Sequence, residues 1–119
     1  MAVLIANLST GKGTWGHVSR LIKEGNFEKS FLITNEFGKD NFKTTDANIE
    51  HIIIDVRKPI KDLSDDIRNA LKGKIGDKNA SVNLISGTGK EHMAILSALI
   101  QEKVKFKFTA LTKNGIEEV

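Results

Sequence analysis

Apolar residues along this chain fall into short dense runs, separated by longer stretches in which they recur at every third or fourth position. Val3-Leu4-Ile5-Ala6-Asn7-Leu8 is the first run, nearly continuous, and predicts a strand covered on both faces. It ends at Ser9-Thr10-Gly11-Lys12-Gly13-Thr14, where the glycines forbid a regular element. From Trp15 the period lengthens: Trp15, Val18, Leu21 and Ile22 share one face of a helix that Gly25 stops. Phe31-Leu32-Ile33 predicts the next buried strand, closing at Thr34-Asn35. Residues 36–48 then read as a polar loop containing Gly38, with room for one helical turn.

Ile49 to Val56 contains Ile52-Ile53-Ile54, a β-branched triplet that predicts a third strand. Pro59 opens a helix carrying Ile60, Leu63, Ile67, Ala70, Leu71 and Ile75 at helical spacing. Val82 to Ile85 predicts a fourth strand, followed by a second glycine loop, Ser86-Gly87-Thr88-Gly89-Lys90. The helix behind that loop bears Met93, Ala94, Ile95, Leu96, Ala98, Leu99 and Ile100. Val104 to Thr109 alternates strictly, with Lys105 and Lys107 on a wet face, so this strand belongs near a sheet edge. Asn114-Gly115 is a hairpin signal before residues 116–119. The order of elements predicts an α/β fold: a mainly parallel sheet flanked by helices, with a C-terminal β-hairpin at its edge. With 119 residues and no linker, repeat or low-complexity tract, residues 1–119 read as a single domain.

Composition removes several function classes. There is no cysteine, which excludes disulfide frameworks, thiolate metal sites and cysteine nucleophiles. No apolar run is long enough to span a bilayer, and the N-terminus lacks the basic-then-apolar layout of a signal peptide. A cytoplasmic protein with no membrane partner is expected. The net charge of +3 permits an anionic ligand without demanding nucleic acid. Lys58, Lys61, Lys72, Lys74 and Lys78 are interleaved with Asp62, Asp65, Asp66 and Asp77, the pattern of a solvated face, so no direct DNA binding is expected. Histidines and carboxylates have no metal-ligand spacing, so neither a metal nor a cofactor is expected.

The candidate chemistry lies in the two glycine loops. Ser9-Thr10-Gly11-Lys12-Gly13-Thr14 and Ser86-Gly87-Thr88-Gly89-Lys90 each place Thr-Gly-Lys after a strand, with a histidine (His17, His92) early in the next helix. Glycines let backbone N–H groups approach an anion, hydroxyls donate, the helix N-terminus adds partial positive charge, and lysine adds a full one. A structural reading stands beside this, since strand-to-helix turns commonly hold glycine and a hydroxyl cap. Neither loop is a P-loop, because Gly13 and Glu91 stand where Ser/Thr is required after Gly-Lys. Gly11-Lys12-Gly13-Thr14-Trp15-Gly16 fits the dinucleotide spacing only formally, with Lys12 and Trp15 crowding the turn. Asn35 and Glu36, after the second strand, are expected at the same crevice, toward ribose or base edges. Trp15 reads either as a base-stacking ring or as core beside Val18 and Ile22, and His51 reads as structural.

Val82-Asn83-Leu84-Ile85-Ser86-Gly87-Thr88-Gly89-Lys90, running into an apolar helix and an alternating strand, resembles the hallmark of CARF domains, the Rossmann-like ligand sensors associated with CRISPR systems. That motif ends the fourth strand with Asp/Asn, any residue, Ser/Thr, three residues and Lys/Arg. Ser86 and Lys90 match its interval; the Asp/Asn position falls on Leu84, with Asn83 one place earlier. The resemblance implies a Rossmann-like homodimer binding a cyclic oligoadenylate across its two-fold axis. Ser9, Thr10, Gly11, Gly13, Thr14, Asn35, Glu36, Ser86, Gly87, Thr88, Gly89 and His92 are then the expected ligand contacts. Some members of the family cleave the ring without metal, and for such cleavage Lys12, Lys90 and His17 are the expected catalytic residues. The excess apolar surface on the Met93–Ile100 helix independently suits self-association. Two alternatives stay open: a monomeric mononucleotide- or phosphometabolite-binding protein, and a non-catalytic interaction module that uses that helix.

Overall fold

The first apolar run becomes the strand at the heart of the sheet, and its continuity has the expected cause. In the computed structural model, which describes residues 2–44 and 48–119, β1 (Ala2–Leu8) is buried on both faces. Val3 and Ile5 point to one side and Leu4, Ala6 and Leu8 to the other, each essentially inaccessible to water. β2 (Lys29–Thr34), β3 (Ile49–Ile53), β4 (Asn79–Asn83), β5 (Phe106–Thr112) and β6 (Gly115–Glu118) complete a six-stranded sheet in the order β3-β2-β1-β4-β5-β6. β1 to β5 are parallel, and β6 pairs antiparallel with β5 as the Asn114-Gly115 hairpin. This is the mainly parallel, Rossmann-like α/β arrangement expected from the element order.

Two layers of helix cover the sheet. α1 (Trp15–Glu24), entered through a 3-10 turn at Lys12–Thr14, lays Val18, Leu21 and Ile22 against Leu4, Leu8 and Leu32. α3 (Ile60–Leu71) and α4 (Gly89–Gln101) pack side by side on the opposite face, burying Leu63, Ile67, Ala94, Ile95, Ala98 and Leu99 over Val3, Phe31 and Val82. Each buried Leu, Ile, Val or Phe side chain among these contributes about 1.5–3 kcal/mol. Three of the five lysines in residues 58–78 form ion pairs at the surface, Lys58 with Asp66, Lys74 with Glu50 and Lys78 with Glu28.

Several boundaries differ from the sequence expectation, each for a local reason. Residues 36–41 form a short helix, α2 (Glu36–Asn41), because Asn35 Oδ1 accepts a hydrogen bond from Gly38 N at 2.8 Å. Gly38 also presses on β2: a Cβ there would lie 1.9 Å from Thr34 Oγ1. Residues 45–47 of the expected loop lie outside the described residues. β3 stops at Ile53, and Asp55 Oδ1 then accepts from Arg57 N at 3.0 Å, turning the chain before Val56 can extend the strand. β4 ends at Asn83, whose Oδ1 accepts from Ile85 N at 3.2 Å, so Leu84 and Ile85 leave the ladder. The helix after Pro59 ends at Leu71, yet Ile75 still reaches the core from the turn beyond it.

Candidate functional site

β1 connects onward to β2 on one side and β4 to β5 on the other, so strand order reverses between β1 and β4. Crevices at such switch points, beyond the carboxyl ends of the strands, are where open α/β sheets bind ligands. Both glycine loops arrive there and touch: Ser9 N donates to Ser86 Oγ at 2.8 Å. Between them lies an open groove of about 330 Å³, lined by Ser9, Gly11, Gly13 and Thr14 from one loop and by Ser86, Gly87 and Thr88 from the other. Ile85, half-exposed, completes it. Thr10 is exposed on the same loop without lining the groove, and Gly89 stands exposed at the start of α4.

The two loops share a grammar but not a state. At the start of α4, Thr88 Oγ1 accepts from Glu91 N at 3.3 Å while Glu91 Oε1 accepts from Thr88 N at 3.0 Å, a complete capping box. Glu91 is only 5% exposed, and Asn7 Nδ2 donates to the same oxygen at 3.2 Å. His92 Nε2 donates to the Ser86 carbonyl at 2.8 Å, tying the loop to its own helix. The β4 loop therefore satisfies its own helix terminus and neutralises it with a buried carboxylate. The β1 loop does neither. Gly11 before the 3-10 turn and Thr14 before α1 supply no side-chain cap, and neither first turn holds an acid. Trp15 N donates to the Lys12 carbonyl, and beyond that turn the loop offers its helix entrance no side-chain acceptor.

The glycines divide in the same way. Gly87 has φ +106° and sits against Asn7 and Glu91, so the fold demands it. A Cβ at Gly11, Gly13 or Gly89 would meet nothing within 4 Å, and none of the three has a left-handed backbone. Their lack of a side chain keeps the backbone accessible without serving any internal contact.

Neither lysine lines the groove; they flank it from opposite faces of the sheet. Lys12 Nζ lies 5.6 Å from the Trp15 ring centroid and 5.4 Å from that of Phe37, on the α1 side. Lys90 Nζ donates to the Val56 carbonyl at 2.9 Å, on the α3 side. Trp15 is half-buried, edge-on to Phe42 at 5.8 Å, and its Nε1 donates to the Ser9 carbonyl at 2.8 Å, which anchors the loop to the core. Asn35 and Glu36 line a neighbouring groove at the ends of β2 and β3, with Asn35 Oδ1 engaged as the α2 cap.

His17 is half-buried and held by its ring nitrogen. Leu111 N and Asn83 Nδ2 both approach its Nε2 at 3.1 Å, which leaves that nitrogen an acceptor and the proton on Nδ1. Asn83 Nδ2 also donates to the Thr109 carbonyl at 2.9 Å, so the cluster joins α1, β4 and β5. Burial pushes the His17 pKa below its ordinary value, and burial with the charge of Lys39 does the same for His51 on β3. A histidine depressed in the folded state binds more protons when unfolded, so stability is complete above about pH 6.5 and falls as pH drops below it. The denaturation midpoint is thus expected to hold from pH 8 to 7 and decline toward pH 5. In His17→Gln that decline becomes shallower; a decline as steep as in the wild type would remove His17 from this role.

Four members of this site, Asn7, Asn83, Glu91 and Phe37, were given no role from the sequence. Asn7 and Asn83 interrupt apolar strands, and a polar residue in a buried run is itself a signal of a buried polar network. Thr88-Gly89-Lys90-Glu91 is a legible capping box. Phe37, beneath Lys12, carries no signal of its position. Among the described residues, no group of three or more histidine or acidic side chains is placed to hold a metal ion, and no helix is long and apolar enough to cross a membrane. No protein-family model matches this chain, and no curated protein does either.

Proposed function

We propose that this domain binds a phosphate-rich nucleotide, a cyclic oligoadenylate, on the rim where the β1 and β4 loops meet, with a second copy completing the ring-shaped site. The observation that carries this reading is the β1 loop: an uncapped helix entrance with exposed glycines that no internal contact requires, cross-tied to a second hydroxyl-bearing loop at the switch point. Backbone N–H groups of an uncapped turn and hydroxyls suit phosphate oxygens, while Lys12 and Lys90, which stand off the groove, would have to turn toward a polyanion to reach it. The resemblance of residues 82–90 to the CARF motif supplies the ligand class. Met93 and Ile100, each 65% exposed on α4, give an apolar face for self-association. His17 acts here as a positioning residue, and any cleavage relies on the amides and lysines to orient the phosphate.

Isothermal titration with a panel of cyclic oligoadenylates tests the reading. Wild type is expected to bind, and Lys12→Ala and Lys90→Ala each to weaken binding about tenfold through loss of a charge-assisted contact. Absence of binding and of thermal stabilisation across the panel would overturn it. Gel filtration separates the monomeric alternative, because a strict monomer has no composite ring site. Ring-opened product formed undiminished in EDTA identifies metal-independent cleavage.

A further inference from the structure

The hairpin at the sheet edge is unequal: β5 has 7 residues and β6 has 4, so their register runs from Thr112↔Gly115 only to Thr109↔Glu118. One more backbone bond follows, Val119 N donating to the Phe108 carbonyl at 3.0 Å. Along a strand, successive residues turn their backbone groups to opposite sides. The Lys105 carbonyl accepts from Ala80 N at 3.0 Å, toward β4, so the N–H and C=O of Phe106 point away from β4, beyond the end of β6. Among the described residues no strand pairs with that stretch, which leaves a short open edge. Its two faces differ. Phe106 packs toward the core under α3 and α4, so alternation turns Lys105 and Lys107 to the face that carries α1. There they line a groove of about 360 Å³ with Asn79 and Ser81. Lys105 has no ion pair or hydrogen bond among the described residues. Lys107 Nζ lies 3.6 Å from Glu118 Oε2, too far for a hydrogen bond. On the other face Phe106 meets Phe108 edge-on at 5.8 Å, and Phe108 remains 39% exposed.

We infer that this edge takes up an extended peptide of a partner protein as an added strand, antiparallel to β5 and in line with β6. Acidic residues of the peptide stand opposite Lys105 and Lys107, and an apolar residue stands opposite Phe106. In strand addition the main-chain hydrogen bonds supply affinity and the alternating side chains supply specificity. Carboxylates at alternate positions of a strand are about 6–7 Å apart, the same interval that separates the two lysines along β5. Opposite charges facing each other across a strand pair attract, and the groove beside β4 leaves room for the acidic side chains. β6 already carries this pattern, since its register sets Glu118 on the lysine face and Val119 opposite Phe108. The edge lies toward the strand starts, the far end of the sheet from the two glycine loops, so the inference does not depend on the rim.

The test is fluorescence anisotropy of a labelled peptide of alternating Glu and Val residues, titrated with the full chain. Wild type is expected to bind it. The double variant Lys105→Glu/Lys107→Glu, which changes only exposed side chains, is expected to bind about tenfold or more weakly. A second peptide of the same sequence, N-methylated at alternate residues so that it cannot donate to β5, is expected to lose binding to wild type. That arm needs no variant of the protein. No binding of the first peptide by wild type overturns the inference, and so does binding that charge reversal leaves unchanged. A methylated peptide that binds as well as its parent reports charge attraction alone and overturns strand addition. Sedimentation of wild type as a dimer that the double variant does not form would assign the edge to a second copy and overturn the partner peptide.

Discussion

Gly87→Ala is expected to destabilise the fold by about 3 kcal/mol, from two effects that add at one atom. A side chain at φ +106° costs about 1–2 kcal/mol in backbone strain. The new Cβ would also stand 1.9 Å from Asn7 Nδ2 and 2.6 Å from Glu91 Oε1. Neither neighbour can yield cheaply, because Asn7 is 1% and Glu91 5% exposed. Displacing them breaks the buried bond between β1 and α4 and leaves a carboxylate short of a donor, worth about 1–3 kcal/mol more. Urea denaturation followed by circular dichroism should show the midpoint lowered by roughly 1–3 M. An unchanged midpoint would mean that the Asn7–Glu91 lock does not hold this corner.

Gly13→Asp should do the reverse. Gly13 is exposed, its backbone is not left-handed, and a Cβ there meets nothing within 4 Å, so the fold has room for the change. A carboxylate at an uncapped helix entrance interacts favourably with the free N–H groups, raising stability by about 0.3–1 kcal/mol. That same carboxylate takes the place proposed for phosphate and repels it, so binding of a cyclic oligoadenylate is expected to fall by a factor of about 100 or more. Thermal melting and titration on one sample therefore move in opposite directions. Full-strength binding by Gly13→Asp would remove the β1 loop from the site.

These two glycines look alike along the chain, each in a hydroxyl-rich turn after an apolar strand. Local pattern identifies the turns because burial on two faces demands continuous apolar residues, and their end marks where the backbone must leave the sheet. It does not identify which glycine is locked. Gly87 is locked by Asn7, a residue from the other half of the chain, while Gly13 faces only solvent. The lysines tell a similar story: Gly-Lys spacing marked Lys12 and Lys90 as cations near strand ends, but not their turn toward Phe37 and Val56, which belong to other elements.

Periodicity and turn residues alone were enough for the α/β order, the mainly parallel sheet, the C-terminal hairpin and the two loops after β1 and β4, since these follow from short-range burial and backbone preferences. The strand order, and with it the meeting of the two loops, came from packing across the whole chain. So did their inequality. Glu91 reaches Asn7 across 84 positions and His17 receives Leu111 N across 94, contacts that close one helix entrance and brace the other helix while leaving its entrance open. No local propensity encodes such pairings, because their energy exists only once both partners have been buried together.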